Sequence, residues 1–361
     1  MPLISAEPQT SWLAQVAGAP LPGRRHEAWR FTDLALLQAV EPVVLAASDP
    51  LAGLELPPGI SRIAPPTELR GPGGWLQQLN QAAKPQVLAL QVSGEVGPLE
   101  LAWDAGSAPG LLPLQVRLVL EPGASLELLQ VHRSSGANVT SMLSEVELAE
   151  GSELKLGVLG LGNAQASLLA QLVIRQAPAS RLELTTATGG WGLVRLEPEV
   201  EQTRGEAHTQ LRSLQLVDGK QMADTHSRVV FGGPGGELDQ LHKVVADGAG
   251  RSVFNGAVQV PQAAQQTNAS QLSRSLLLSD RARVDTKPEL EIVADDVKCA
   301  HGATVSRLQQ NELFYLQSRG IGADQAARLL LRGYCDEVLR AMPAAAGAWK
   351  PLATLLGESN R

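Results

Sequence analysis

Aromatic residues make up only 3% of this 361-residue chain, and cysteine occurs twice, at Cys299 and Cys335. So few aromatics leave little from which to build platforms that stack sugars or bases. Two cysteines make no disulfide framework, which agrees with a reducing compartment. No apolar run reaches the roughly 20 residues that span a bilayer. The N-terminus, with Glu7 and several polar residues, lacks the basic-then-apolar pattern of a secretion signal, so the chain is expected in the cytoplasm, away from membranes. A net charge of −7 and a pI near 5.5 argue against nucleic acid or an anionic membrane as the main partner, because both select for clustered Lys and Arg. There is no Gly-x-x-x-x-Gly-Lys-Ser/Thr loop for ATP, no Gly-x-Ser-x-Gly elbow and no His-Glu-x-x-His helix. Gly160-Leu161-Gly162 is a fragment of a dinucleotide fingerprint that precedes no helical pattern, and it reads as a strand and turn.

What is present divides the chain into three stretches: 1–95, 96–305 and 306–361. In the first, Pro8 to Ala17 predicts a short helix with Trp12, Leu13 and Val16 on one face and Gly18 as its stop. A cluster around Glu27, Trp29, Arg30, Phe31 and Thr32 follows and reads as a helix entry packed by Trp29. Prolines 57, 58, 65, 66 and 72, with glycines around them, predict an irregular cover or linker between Gly53 and Gly74. Trp75 to Ala83 predicts a helix, and Val87 to Val92 begins the extended part.

From about Leu99 the apolar period becomes two and stays so for some 200 residues. Aligning the turns shows a repeat: Gly123-Ala124-Ser125-Leu126, Gly151-Ser152-Glu153-Leu154 and Ala179-Ser180-Arg181-Leu182 recur every 28 residues. Leu118, Val146 and Ile174 keep the same step, and the register drifts later, through Gly205 to Leu211. A fixed period of this size in an all-strand unit predicts stacked coils, a β-helix or related solenoid. A β-sandwich is the runner-up, but it has no reason to hold a 28-residue register. After Val305 the pattern turns helical. Asn311 to Arg319 is closed by Gly320, Ala323 to Met342 is ended by Pro343, and a last short helix is expected around Trp349 to Leu356. The helical pieces are expected to cap the ends of the solenoid. Cys335 sits on the second of these helices and reads as core.

The stretch Ala294-Asp295-Asp296-Val297-Lys298-Cys299-Ala300-His301-Gly302 carries the chemistry. If it is extended, alternation puts Cys299 and His301 on one face, about 7 Å apart. A thiolate and an imidazole suit zinc, copper or an iron-sulfur cluster, yet a closed site needs about four ligands and no second Cys/His pair lies nearby in sequence. The plain alternative is that both residues only pack. Asp295 and Asp296, adjacent on a strand, point to opposite sides and read as a solvated turn. The other histidines, His26, His132, His208, His226 and His242, have no ligating spacing and read as scattered surface or strand residues.

Taken together, several segments in order resemble the SufD branch of the SufB/SufD family. They are Arg251-x-x-Phe254-x-Gly256, Thr267-x-x-x-Gln271, Leu276-Leu277-Leu278-Ser279, Asp285-Thr286-Lys287-Pro288-Glu289-Leu290-Glu291-Ile292, Asp295-Asp296-Val297-Lys298-Cys299-x-His301-Gly302-Ala303-Thr304, Leu313-Phe314-Tyr315-Leu316 and Ser318-Arg319-Gly320-Ile321. Near the start, Glu27-x-Trp29-Arg30-Phe31-Thr32 resembles the family's entry motif. Ala300 departs from the pattern, where serine is common. The resemblance is dense in the last third and diffuse in the middle.

The resemblance implies a mainly β protein: a right-handed parallel β-helix core flanked by N-terminal and C-terminal α-helical regions. It implies a non-catalytic scaffold of iron-sulfur cluster assembly that pairs with a SufB-like paralogue and holds a SufC-like ATPase through the C-terminal helices. ATP would enter only through that ATPase. His301, and less firmly Cys299, would share iron or a nascent, transient cluster with the paralogue across their interface, which would explain a half-site. The isolated chain is expected to hold no cluster tightly and to be able to pair with itself. Two other readings stand beside this one: a β-helix enzyme acting on polysaccharides, and a purely structural heterodimer partner.

Overall fold

Alternating apolar side chains become two stacked sheets. The structure, a computed structural model, describes residues 11–65 and 73–358. Residues 8–10 of the expected first helix, and Pro66 and Pro72 of the proline-rich stretch, lie outside the described residues. In the first sheet, Val87–Val92, Gly110–Leu120, Asn138–Leu148, Ser167–Gln176, Leu193–Gln202, Met222–Phe231, Arg251–Val260 and Arg283–Ile292 stack in parallel. In the second, Glu95–Asp104, Ser125–Arg133, Glu153–Leu161, Arg181–Gly189, His208–Val217, Glu237–Ala246, Asn268–Leu277 and Lys298–Ser306 do the same. The chain alternates between them, giving a parallel β-solenoid of about eight turns.

The 28-residue step is the register itself. Leu126 pairs with Leu154 and Leu154 with Leu182, while Leu118, Val146 and Ile174 pair in sequence across the other sheet. The drift is real too: Leu182 pairs with Thr209, one residue short of the step, and Thr209 with Leu238, one beyond it. Like residues therefore stack in rows along the lumen. Leu90, Leu118, Val146, Ile174, Val200, Val229 and Val258 form one such row, all buried. A parallel sheet covered on both faces needs this near-continuous apolar content.

One corner recurs with a left-handed backbone. Gly123 (φ 70°), Gly151 (φ 67°) and Ala179 (φ 58°) occupy equivalent places, and the N–H of each reaches the carbonyl of the next turn, on Glu150, Pro178 and Glu206. At Gly151 a Cβ would meet nothing within 4 Å, so the glycine is there for its φ and not for space.

The helices do not cap the ends as expected; they cover the broad faces. The outward side of the first sheet carries Leu111, Val139, Leu169, Leu193, Met222 and Val253, and the helices Trp12–Ala17, Ala35–Gln38 and Trp75–Ala82 bury Leu13, Leu37, Trp75 and Leu79 against it. Trp29 is buried there, edge-on to Trp75, with the Arg195 guanidinium 4.2 Å above its ring. On the outward side of the second sheet, Leu129, Val131, Leu159, Ala187 and Leu214 receive Cys335, Val338, Leu339 and Met342 from the C-terminal region. These outward apolar stripes decide the arrangement, because a strand exposing one would leave it in water. The first turn is closed by chain before it, through Leu51 and Ile60. The proline-rich stretch is accordingly less irregular than expected: Ile60–Arg62 lies between Gly59 and Pro65, keeps its N–H groups, and pairs antiparallel with Val87–Val92.

Substituting the corner tests the backbone account. Gly151→Ala is expected to cost about 1 kcal/mol in urea denaturation, and Ala179→Gly to shift the midpoint in the opposite direction.

Candidate functional site

The last turn of the solenoid has no turn beyond it. Among the described residues, Lys298–Ser306 pairs only with Asn268–Leu277, and Arg283–Ile292 only with Arg251–Val260, so both strands present an edge. Cys299 is in register with Ala269, and His301 with Gln271. Ala269, Gln271, Ser273 and Ser275 are all buried and inward-facing, so the same alternation puts Cys299, His301, Ala303 and Val305 on the inward side of the last coil. With nothing stacked on it, that side is open: Cys299 is half-buried and His301 exposed. The shared face expected for the pair is present.

Chemically the pair is a partial donor set. Burial pushes the Cys299 thiol up, against a smaller opposing effect of a backbone hydrogen bond at Ala269, so the sulfur is a protonated thiol that a metal must deprotonate. Asp295 and Asp296 sit in an exposed bend before the strand; Asp295 accepts a hydrogen bond from Gln262 Nε2 at 3.2 Å. Among the described residues, no three of His, Cys, Asp or Glu gather closely enough to hold a metal ion. Cys299 and His301 thus offer two donors toward the four of a closed site.

Behind this edge the lumen changes character. The row of the second sheet that ends at His301 reads Leu99, Leu128, Leu156, Leu184, Leu211, Gln240, Gln271, His301. Gln271 Nε2 donates to Gln240 Oε1 at 2.9 Å, and Gln240 Nε2 donates to Ser227 Oγ at 2.8 Å. Beside it His242 is fully buried and stacked on Phe254 at 4.3 Å. Far along the lumen His132 is stacked on Trp103 in the same way, at 5.5 Å. Both histidines lie inside the solenoid, contrary to a scattered surface placement. Desolvation lowers their pKa values to about 4 for His132 and about 3 for His242. The register would have revealed them, had the 28-residue step been followed through coils of uneven length.

The C-terminal helices lie along the outward face of the second sheet, and Tyr334 Oη reaches the strand beside the last turn, donating to the Arg274 carbonyl at 2.7 Å. Cys335 is core, with its thiol pushed up to about 12 by burial. Lys243 is nearly fully buried under the helix Ala323–Leu339, where its ammonium pairs with Glu337, donates to the Tyr334 carbonyl at 2.8 Å and lies over the Tyr334 ring. The preceding helix, Gln310–Ser318, buries none of its residues and leaves Phe314 72% exposed and Tyr315 58% exposed. Two large aromatics are thus exposed side by side on one helix.

A family model described as SUF system FeS cluster assembly, SufBD core domain, matches residues 106–334. The chain belongs to the SufBD family. It is 35% identical over 260 residues to an iron-sulfur cluster assembly SufBD family protein of Synechocystis, covering 69% of this chain and 57% of that one. It is 36% identical over 255 residues to the chloroplastic protein ABCI7 of Arabidopsis thaliana, covering 70% of this chain and 53% of that one. With the iron-sulfur cluster assembly protein SufD of Escherichia coli it shares 39% identity over 142 residues, 39% of this chain and 34% of that one. The chain thus spans little more than half the length of the first two relatives. The matched core takes in the terminal coil and the exposed helix of this SufBD protein, together with the helix that carries Tyr334.

The buried histidines give a pH dependence. Neutral in the folded state, they protonate in the unfolded chain near pH 6.5, so the stability they confer is full above that pH and is lost as pH falls toward 4 and then 3. His242→Phe is expected to flatten the decline of denaturation midpoint between pH 6.5 and 4 relative to wild type.

Proposed function

We propose that this SufBD protein is a non-catalytic scaffold subunit of an iron-sulfur cluster assembly complex. The observation that carries the reading is the open last turn: two unpaired strand edges framing His301 and Cys299, in a chain of this family. A SufB-like paralogue would add to those edges by strand pairing, the mode in which an exposed sheet edge gains a partner. The same event would bring the paralogue's own donors, a cysteine among them, over the inward face of the coil. Iron or the nascent cluster is then cargo held between chains.

Each residue's part follows from its chemistry. His301 is exposed, so its imidazole can meet a docked partner without being freed from packing; Cys299, half-buried and protonated, is the weaker donor. Two donors from this side suit cargo that must leave again, because a closed four-ligand cage would retain it. The exposed helix with Phe314 and Tyr315, and the clasped helix behind it, form the surface for a SufC-like ATPase, which would bring ATP to a complex whose scaffold has no P-loop. Nucleotide turnover would move this hairpin, and the contacts of Tyr334 and Glu337 with Lys243 and Arg274 lead from it to the strand beside the last turn. The cytoplasm, where thiols stay reduced, suits such a subunit. Absent the paralogue, the same edges would let two copies of the chain pair.

The test is anaerobic co-expression of this chain with SufB-like and SufC-like partners, followed by iron and sulfide analysis of the purified complex. His301→Ala is expected to leave complex yield unchanged and to lower bound iron and sulfide several-fold, with Cys299→Ala giving a smaller loss. Full iron and sulfide content in the His301→Ala complex would leave the last strand with a packing role only.

A further inference from the structure

Gln271 holds the one buried polar atom next in line to His301 that has no hydrogen-bond partner among the described residues. Its side chain is about 98% buried, and its Oε1 is unpaired while its Nε2 donates to Gln240. A buried carbonyl oxygen left without a donor is destabilising, so its retention calls for a reason. Packing supplies none: in the five turns before Gln240 the same row is leucine. Nor is the amide an accident of space. Gly256 faces it from the other sheet, and a Cβ there would lie 2.4 Å from Gln271 Nε2, so a bare backbone makes room for the amide.

The ladder runs outward from Ser227. Gln240 Nε2 points at Ser227, which leaves Gln240 Oε1 to accept from Gln271 Nε2, and Gln271 Oε1 is then the end of the chain of amides. The next residue along the row is His301, whose backbone is one strand spacing away, about 4.8 Å. Side chains in register in a parallel sheet stand over one another, so His301 is the next side chain after this oxygen on the inward side of the coil.

We propose that Gln271 is the positioning residue of His301. The Oε1 atom accepts one ring N–H of His301, selects a single tautomer, and thereby turns the lone pair of the other nitrogen out of the open end of the solenoid, toward whatever docks there. A ligating imidazole is oriented in this way by an acceptor on its other nitrogen. The polar row is then a device for aiming one imidazole: Ser227 sets Gln240, Gln240 sets Gln271, and Gln271 sets His301. The purpose of the aim rests on the reading of His301 as a ligand, whereas the aim itself does not.

The experiment therefore has two arms. In the first, the isolated chain is labelled with 15N-histidine, at a pH where the imidazole is neutral and with no metal present, and the His301 signals are identified by their loss in His301→Ala. Wild type is expected to show one dominant tautomer. Gln271→Leu, the residue found in the same row of earlier turns, and Gln271→Met, close to glutamine in length, are expected to show a mixture, and Gln271→Glu, which keeps an acceptor, a dominant tautomer again. An unchanged tautomer ratio in both apolar variants overturns the proposal. In the second arm, the assembled complex carrying Gln271→Leu is expected to lose bound iron several-fold at unchanged yield. If His301→Ala loses iron and Gln271→Leu does not, positioning has no part in holding iron; if neither loses iron while the tautomer effect stands, the ligand reading fails and the positioning of His301 survives it.

Discussion

Register is the constraint on which everything else in this molecule depends. In a parallel solenoid each side chain stands on its counterpart one turn earlier, so the identity of a residue propagates along a row and not along the sequence. Leu126 on Leu154 on Leu182 is the simplest instance. The same rule that stacks leucines carries Gln240, Gln271 and His301 into line. One geometric principle thus supplies both the core and the approach to the candidate site.

Exposed edges are a liability that a solenoid usually covers, because unpaired N–H and C=O groups recruit strands without discrimination. Here preceding chain adds a strand to the first sheet and packs Leu51 and Ile60 against the first turn, whereas among the described residues the outer edges of Arg283–Ile292 and Lys298–Ser306 have no strand partner, with Ile292, Val293 and Val305 exposed beside them. The replacement of leucine by amides behind this edge gives up apolar stabilisation in the last turns. The helices that might have covered the end are committed elsewhere, held to the broad faces by apolar stripes and by the buried Lys243–Glu337 pair. Stability has been given to the flanks, and the end has been left available.

Much of this could be read from the chain itself. The period of two, the 28-residue step and the glycine corners are local or near-local signals, and they were enough for the solenoid and for the common face of Cys299 and His301. The resemblance to SufD added the direction of the functional reading, and the family match agrees with it. What stayed hidden depends on distance in three dimensions. Whether the helices would cover ends or faces was decided by outward residues such as Val139 and Leu159, whose side cannot be assigned until the inward rows are known. His132 and His242 look like polar interruptions of a strand and are lumen residues stacked on aromatic rings. Gln271 entered only within the family-like Thr267-x-x-x-Gln271 segment, with no role attached, because its meaning lies in one unpaired oxygen beside a histidine thirty residues away.

The central claim is that the last turn is kept open for another chain. The most direct measurement is amide hydrogen exchange over 283–292 and 298–306, in this chain alone and mixed with a SufB-like paralogue. The account predicts fast exchange at the outward-facing amides of both strands in the isolated chain and strong protection of the same amides in the complex, with the inner turns slow in both. Protection that is already complete in the isolated chain, or that appears on complex formation only at other surfaces, would contradict it.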